Sequence, residues 1–265
     1  MSVADPDSVL ARMRALGGSW PTPTILDTVD STNRALAEQE HCIDGQCVVS
    51  DEQTAGRGRV DRSWVSNAGA GLWMSVCVSL EGVVPENWPL LSATAAVAAR
   101  TALSNACGVT VGIKWPNDLV VEPSLRKIGG LLTEVVGNCA VVGIGINVAW
   151  PAQELPTPES TSVLVEGGRI DRGELLAHVL VELERCVERW RRSPEDALDE
   201  FRRSCVSLGR EVLVLLPDGS TLAGTATDVD HGGRLILMSG ETPVFISAGD
   251  VIHATITPWD TPRNS

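Results

Sequence analysis

The segment QTAGRGRVDRSW, residues 53–64, gathers cations on a stretch of chain that can bend sharply. It places Arg57, Arg59 and Arg62 beside Gly56 and Gly58. Guanidinium groups suit carboxylates and phosphates, and glycines let a ligand approach the main chain closely. A solvated turn with ordinary surface arginines would have the same composition, and the Walker A spacing is absent. Residues 56–64, called the arginine loop below, therefore indicate an anion site only if other segments support it.

Two further segments bring a lysine to the edge of an apolar run. In GIKWPNDL, Lys114 ends an apolar stretch, and Asn117 with Asp118 can shape a turn or face a bound group. In KIGGLLTE, Lys127 must reach water or meet an anion, and paired glycines including Gly130 allow close approach to the backbone. Turn chemistry explains Pro116, Asn117 and Asp118 but explains Lys114 and Trp115 less well. A β-bulge would explain the second segment, so each segment is ambiguous alone.

The segment VGIGIN has small residues on one side of a predicted strand. Because side chains alternate, Gly143, Gly145 and Asn147 share a flat side that ends in an amide. A helix or sheet packed closely against the glycines would give the same pattern. The histidines have no metal-ligand spacing, and no G-x-S-x-G motif occurs. The sequence thus presents no recognisable metal centre or activated nucleophile.

The composition restricts the partners of this 265-residue chain. It is 43% hydrophobic and 21% charged, as in an ordinary globular protein, and its formal net charge is -13. Such a charge repels nucleic acid and anionic membrane surfaces, so an anion site must be local. Seven cysteines without a C-x-x-C pair predict reduced core thiols in a cytosolic protein. We also expect no signal peptide and no membrane span.

The elements that must position these segments follow from periodicity and capping signals. Helices are predicted at 7–16, 32–40, 88–106, 172–192 and 194–204, and strands at 24–28, 46–51, 72–80, 109–114, 128–136 and 139–148. From 210 to 256, short β-rich runs alternate with turn signals, which predicts a small all-β module. We place the boundary near Ser207, giving domains at residues 1–206 and 207–265.

Five motifs then occur in one order: DSTN at 30–33, QTAGRGR at 53–59 with Trp64, KWPND at 114–118, KIGG at 127–130 and GIGIN at 143–147. This set closely resembles biotin protein ligase over about residues 25–165, and more loosely through the β-rich module. The resemblance implies an α+β fold: a catalytic domain similar to class II aminoacyl-tRNA synthetases, with a mixed sheet flanked by helices, and a C-terminal SH3-like β-barrel. It also implies that ATP activates biotin to biotinyl-5′-AMP, which then biotinylates a carrier-domain lysine of a biotin-dependent carboxylase.

Site residues are carried over by position. The resemblance implies catalytic roles for Lys127, Arg57, Lys114 and Asp118. It implies biotin contacts from Ser31, Thr32, Asn33, Gln53, Gly56, Arg57, Gly58, Arg59, Lys127 and Gly130. It implies ATP contacts from Arg59, Arg62, Lys114, Asn117, Asp118, Lys127 and Asn147. Mg²⁺ is the implied cofactor, bridging phosphates with few protein ligands, and no metal-binding residue is assigned.

The implied partners are biotin, ATP and the apo biotin carboxyl carrier domain, for a cytoplasmic enzyme that is a monomer or homodimer. Too little chain precedes DSTN for a winged-helix domain, so we expect a monofunctional ligase that binds neither DNA nor membrane. The rivals are a lipoate or octanoyl ligase, a module that senses biotin without transferring it, and chance matches.

One residue departs from the family pattern. Asp61 stands where most relatives are expected to have glycine, and its charge among the arginines could tune loop closure. We also expect the arginine loop to be disordered without ligand, since its arginines repel one another.

Overall fold

The computed structural model describes residues 5–39, 41, 43–59 and 62–253, the last of these by its backbone alone. Its helices are α1 Pro6–Ala15, α2 Thr32–Ala37, α3 Leu90–Cys107, α4 Arg172–Arg192 and α5 Pro194–Ser204, with 3₁₀ turns at Pro85–Asn87 and Ala152–Glu154. Its strands are β1 Thr24–Val29, β2 Cys47–Gln53, β3 Gly71–Ser79, β4 Val111–Lys114, β5 Asp118–Val121, β6 Arg126–Val136, β7 Cys139–Asn147, β8 Glu211–Leu215, β9 Thr221–Val229, β10 Leu235–Ser239, β11 Thr242–Ile246 and β12 Asp250–His253.

Local signals account for the helix ends. Asp171 caps α4 by accepting from the Glu174 backbone N–H, which would otherwise lack a partner in the first turn. Ser193 caps α5 in the same way, and a proline follows it at the first helical position. Helix α3, rich in alanine, ends at Gly108, whose φ of 75° is accessible to glycine at low cost.

The first seven strands form one mixed sheet in the order β1-β2-β3-β7-β6-β5-β4. Only β1 and β2 among these neighbours are parallel within the described chain, and the remaining pairs are antiparallel. Helices α3 and α4 pack together and share one apolar core with the sheet. Helix α2 contacts β2, β3 and β7 over a smaller apolar cluster that contains Leu36, Val48 and Val141. Strand β3 is therefore buried along almost its whole length.

The sheet contains one strand that the sequence did not predict. The turn of KWPND leads from β4 into β5, which pairs with both β4 and β6. Four residues between a turn and Pro123 are too few to give a period-two signal. Strand β5 sets the spacing of the site because Lys114 and Asp118 become direct cross-strand neighbours.

The C-terminal strands form a second sheet, in the order β11-β10-β9-β8-β12. Four strands form a meander, and β12 returns to pair with the first of them, as expected for the predicted SH3-like module. The module packs on the β4–β5 hairpin, where the Trp115 indole N–H donates to the Gly233 carbonyl at 3.0 Å. The mixed sheet with flanking helices and this β module confirm the α+β fold class.

The state of the cysteines and the character of the helices bear on the predictions made from composition. Cys77 is disulfide-bonded, so the prediction that the cysteines are reduced thiols was wrong there, because spacing along the chain does not show which cysteines meet. Cys47, Cys107, Cys139, Cys186 and Cys205 are free. Within the described residues, no helix combines the length and apolar character needed to cross a membrane.

Candidate active site

A cleft of about 110 Å³ lies on the face of the mixed sheet that carries α2. Twelve of the residues that were given a role from the sequence line this cleft: Ser31, Thr32, Asn33, Gln53, Arg57, Gly58, Arg59, Arg62, Asn117, Asp118, Lys127 and Gly130. The structure therefore gathers most of the residues carried over from the resemblance, and they come from four segments of the chain. Lining residues that were given no role from the sequence also enter the geometry below, namely Trp64, Leu132, Gly143, Gly145 and Asp250.

One end of the cleft is built from uncharged hydrogen-bonding groups. Parallel pairing of β1 with β2 brings Val29 level with Gln53, so the start of α2 lies beside the end of β2. The Thr32 backbone N–H donates to Gln53 Oε1 at 2.9 Å, and the Gln53 amide nitrogen donates to the Ser66 hydroxyl at 2.8 Å. Buried Ser75 on β3 lies 2.7 Å from the Thr32 hydroxyl. These contacts fix the direction of the Gln53 amide.

Asn33 connects this end to a carboxylate on β6. Its Oδ1 accepts from the Ser75 hydroxyl at 2.6 Å, and its Nδ2 donates to the Leu132 carbonyl at 3.2 Å and to Glu134 Oε2 at 2.8 Å. Both Glu134 oxygens also accept from Arg57, at 2.7 and 3.1 Å. Glu134 was given no role from the sequence. A signal was available, since Gly130, Leu132 and Glu134 alternate onto one side of β6.

The floor of the cleft is flat because it carries glycines. A Cβ atom added at Gly143 would lie 2.2 Å from Asn33 Oδ1, and one at Gly145 would lie 2.7 Å from the Trp64 indole nitrogen. Trp64 lies across this floor and meets Trp73 edge to face, with ring centroids 6.3 Å apart. The two glycines that alternate along VGIGIN therefore leave space on this face of β7 for the Asn33 amide and the Trp64 indole.

The other end of the cleft is charged. The Lys127 ammonium lies 2.6 Å from Asp118 Oδ1 and 5.2 Å from the centroid of the Trp64 ring. The Lys114 ammonium lies 3.7 Å from the other Asp118 oxygen. Asp118 therefore holds two cations beside the floor, and Lys127 also contacts an aromatic face that favours positive charge.

The two described sides of the arginine loop, residues 56–59 and 62–64, pair with each other over the cleft. The Gly58 N–H donates to the Arg62 carbonyl at 2.7 Å, and the Trp64 N–H donates to the Gly56 carbonyl at 2.8 Å. Burial lowers the pKa of the Arg59 guanidinium, and Asp118 opposes this effect. The Arg62 side chain binds the carboxylate of Asp250 in the C-terminal module. Asp61, for which an effect on loop closure is predicted, lies outside the described residues.

Three predicted residues do not line the cleft. Asn147 is 3% exposed and donates to the Thr161 carbonyl at 3.0 Å. Lys114 reaches the site through its contact with Asp118. Gly56 is buried, and a Cβ atom added to it would lie 2.3 Å from the Trp64 carbonyl oxygen. In the described part of the chain, no cluster of three or more His, Cys, Asp or Glu side chains is arranged to hold a metal ion.

Known protein families match both the catalytic part of the chain and its C-terminal β module. The Biotin/lipoate A/B protein ligase family matches residues 25–149, and the Biotin protein ligase C terminal domain matches residues 207–254. The chain is similar to the biotin--[acetyl-CoA-carboxylase] ligase of Mycobacterium tuberculosis (strain ATCC 25618 / H37Rv), with 34% identity over 94% of this chain and 95% of that protein.

Two solved structures have the same fold. The biotin protein ligase of Aquifex aeolicus in complex with biotin and ATP is 27% identical, with a TM-score of 0.75 over 87% of this chain and 97% of that chain. The biotin protein ligase of Leishmania major in complex with biotinyl-5-AMP is 25% identical, with a TM-score of 0.61 over 87% of this chain and 100% of that chain.

Proposed function

The chain belongs to the Biotin/lipoate A/B protein ligase family, and we propose that it acts as an ATP-dependent biotin protein ligase. The enzyme activates biotin to biotinyl-5′-AMP and transfers it to the ε-amine of a lysine on a biotin carboxyl carrier domain. The resemblance drawn from five ordered motifs is confirmed by matches along almost the whole chain.

The observation that carries the proposal is one cleft with two chemically different ends on a glycine floor. Neutral donors and acceptors around Thr32 and Gln53 suit a cyclic urea, while Lys127 and Arg59 suit a carboxylate meeting a phosphate. The Asn33 end lies against Gly143 and the Trp64 end against Gly145, two residues and about 7 Å further along β7. A ligand with a polar ring and an acidic tail fits this order.

In the first step, an oxygen of the biotin carboxylate attacks the α-phosphorus of ATP, the bond to the pyrophosphate oxygen breaks, and pyrophosphate leaves. Both reactants are anions, so the protein must hold them together and neutralise their repulsion. We assign this neutralisation to Lys127 and Arg59. The Lys127 ammonium lies 2.6 Å from Asp118. If a ligand oxygen replaced Asp118 as its partner, the ammonium would lie beside the reacting groups.

In the second step, the acceptor amine attacks the anhydride carbonyl, the bond to the AMP oxygen breaks, and an amide forms as the amine loses a proton. We assign Asp118 to orient the acceptor amine, because this carboxylate lines the cleft beside Lys127. This assignment, like the contacts of the other site residues, is a proposal.

Mg²⁺ is the proposed cofactor of the first step. This ion usually takes one or two carboxylates together with substrate phosphates and water, and Asp118 and Asp250 are carboxylates that line the cleft. The residues present therefore suit an ion held mainly by ATP. When bound, it would neutralise phosphate charge. A cytoplasmic location, a monomeric or homodimeric state and the absence of DNA binding stay predictions.

The test is to incubate the protein with ATP, Mg²⁺, biotin and an apo carrier domain, and to probe the carrier domain with streptavidin. We expect ATP-dependent labelling that is lost when the target lysine of the carrier domain is replaced by arginine. Folded protein that gives no label would refute the proposal. ATP-dependent transfer of lipoate without transfer of biotin would establish the rival ligase, and biotin binding without transfer would establish a sensing module.

A further inference from the structure

Glu134 is the carboxylate at which the loop and the floor of the cleft meet. Both of its oxygens accept from Arg57, at 2.7 and 3.1 Å, and one of them also accepts from the Asn33 amide at 2.8 Å. A two-point arginine–carboxylate contact fixes the orientation as well as the distance of both groups. Nothing in the five motifs or in the named similarities gives Glu134 a role.

Further contacts hold both Arg57 and Asn33, the two partners of Glu134, in place. On the loop side, Arg57 pairs with Ser63 on the other described side of the loop, so holding Arg57 also holds the segment that carries Ser63. On the floor side, the Asn33 amide is held by the Leu132 carbonyl and by the buried hydroxyl of Ser75. Glu134 therefore connects a loop that closes the cleft to a side chain anchored in the sheet.

The same contact changes the expectation for Arg57. Its guanidinium already has a two-point carboxylate partner from the protein, whereas Arg59 is more buried beside Asn117 and Asp118. A ligand anion would have to displace Glu134 to bind Arg57 in the same way. At the charged end of the cleft, Arg59 forms no ion pair with the described residues, and Lys127 must exchange its contact with Asp118 to bind a ligand anion.

We propose that Glu134 is a positioning residue that clasps Arg57 and Asn33 together, and that Arg57 acts through this clasp rather than on the carboxylate or phosphate of the ligand. This inference rests on the proposed biotin ligase function, which supplies the assay. The clasp holds the arginine loop over the hydrogen-bonding end of the cleft, where the biotin ring is expected. Glu134 and Arg57 then contribute to retention of biotin as one unit.

The test is a double-mutant cycle with E134Q, R57Q and the double variant, followed by biotin-dependent pyrophosphate exchange. Each single variant should raise KM for biotin by roughly tenfold, as expected for the loss of a partly exposed charged contact, and kcat should stay within about threefold of wild type. The double variant should match the single variants because the second change finds the clasp already broken. E81Q, on an exposed turn, is the matched control and should resemble wild type.

Direct binding of the ligand anion by Arg57 gives the opposite pattern. R57Q would then lower kcat by about a hundredfold or more, and E134Q would lower KM for biotin by freeing Arg57. Either result, or additive effects in the double variant, overturns the clasp. Failure of wild-type protein to exchange pyrophosphate with biotin would refute the proposed function instead. If E134Q does not fold, R57Q alone distinguishes the two roles of Arg57. A raised KM for biotin with little change in kcat supports the clasp, and a large loss of kcat overturns it.

Discussion

Replacing Gly143 with alanine should damage the biotin end of the cleft while leaving the fold in place. The added Cβ would lie 2.2 Å from Asn33 Oδ1, whereas a relaxed carbon–oxygen contact is roughly 3.3 Å or longer. The Asn33 side chain must therefore retreat by about 1 Å. It cannot do so freely, because hydrogen bonds to Ser75, Leu132 and Glu134 hold it.

The expected cost follows from those contacts. Loss of the Ser75 and Glu134 hydrogen bonds, one neutral and one charged, corresponds to about 2–4 kcal/mol in the free energy of unfolding. For a chain of this size, such a loss lowers Tm by roughly 4–16 °C and leaves a folded protein if the total is typical. KM for biotin should rise as well, because Asn33 leaves its place in the cleft.

Thermal unfolding and pyrophosphate exchange would be measured on G143A beside G232A. A Cβ at Gly232 would meet its nearest neighbour at 3.4 Å, and its backbone needs no left-handed conformation, so this control should lie within about 0.5 kcal/mol of wild type. If G143A unfolds at the wild-type temperature and keeps the wild-type KM for biotin, the placement of Asn33 against the floor is wrong.

Three other predictions concern charges and thiols. Lys127→Ala should abolish adenylate formation and keep the circular dichroism of a folded protein, because it removes the ammonium assigned to the reacting anions; exchange near the wild-type rate would contradict that role. Asp250→Asn should change the free energy of unfolding by less than about 1 kcal/mol, as for other exposed ion pairs, but should speed proteolytic cleavage of the empty arginine loop; unchanged cleavage would show that the C-terminal module does not restrain it. Burial raises the pKa of Cys107 to about 11 and that of Cys186 to about 11, so a thiol reagent at pH 8 should modify them only after unfolding. Since the folded chain binds these protons more tightly than the unfolded chain, stability should fall as pH rises from about 9 to about 11, and a flat profile in alkaline urea titrations would contradict this.

Elements with strong local signals could be predicted from the sequence. Helix α4 has an apolar stripe and a capping aspartate, and its predicted range of 172–192 matches the structure. Strand β3 was also predicted, but alternation alone did not show that both of its faces are buried, because the second face is covered by α2 and loop residues from elsewhere in the chain. Strand β5 escaped prediction because pairing with two neighbours, rather than its own pattern, makes it a strand.

The site could be predicted where residues lie in local motifs, and less well where tertiary pairing completes it. The segments that supply Gln53, Arg59 and Lys127 are recognisable in the sequence, and these residues line the cleft. Glu134 lies four residues beyond the KIGG motif and gains its partners Arg57 and Asn33 only when the arginine loop and α2 fold against β6. Asp250 lies 188 positions from its partner in the arginine loop, so no local pattern could connect them.

The ion pairs of the cleft also bear on how quickly ATP arrives. Arg57, Arg62 and Lys127 each contact a carboxylate of the protein, so at a distance their charges are largely cancelled. An incoming polyanion then experiences mainly the net charge of -13 of the whole chain, which repels it. Electrostatic steering towards this cleft should be weak or unfavourable until ATP is within about a Debye length, roughly 8 Å at physiological ionic strength. Moderate salt should accordingly speed the association of ATP, although it weakens the contacts that ATP makes after arrival.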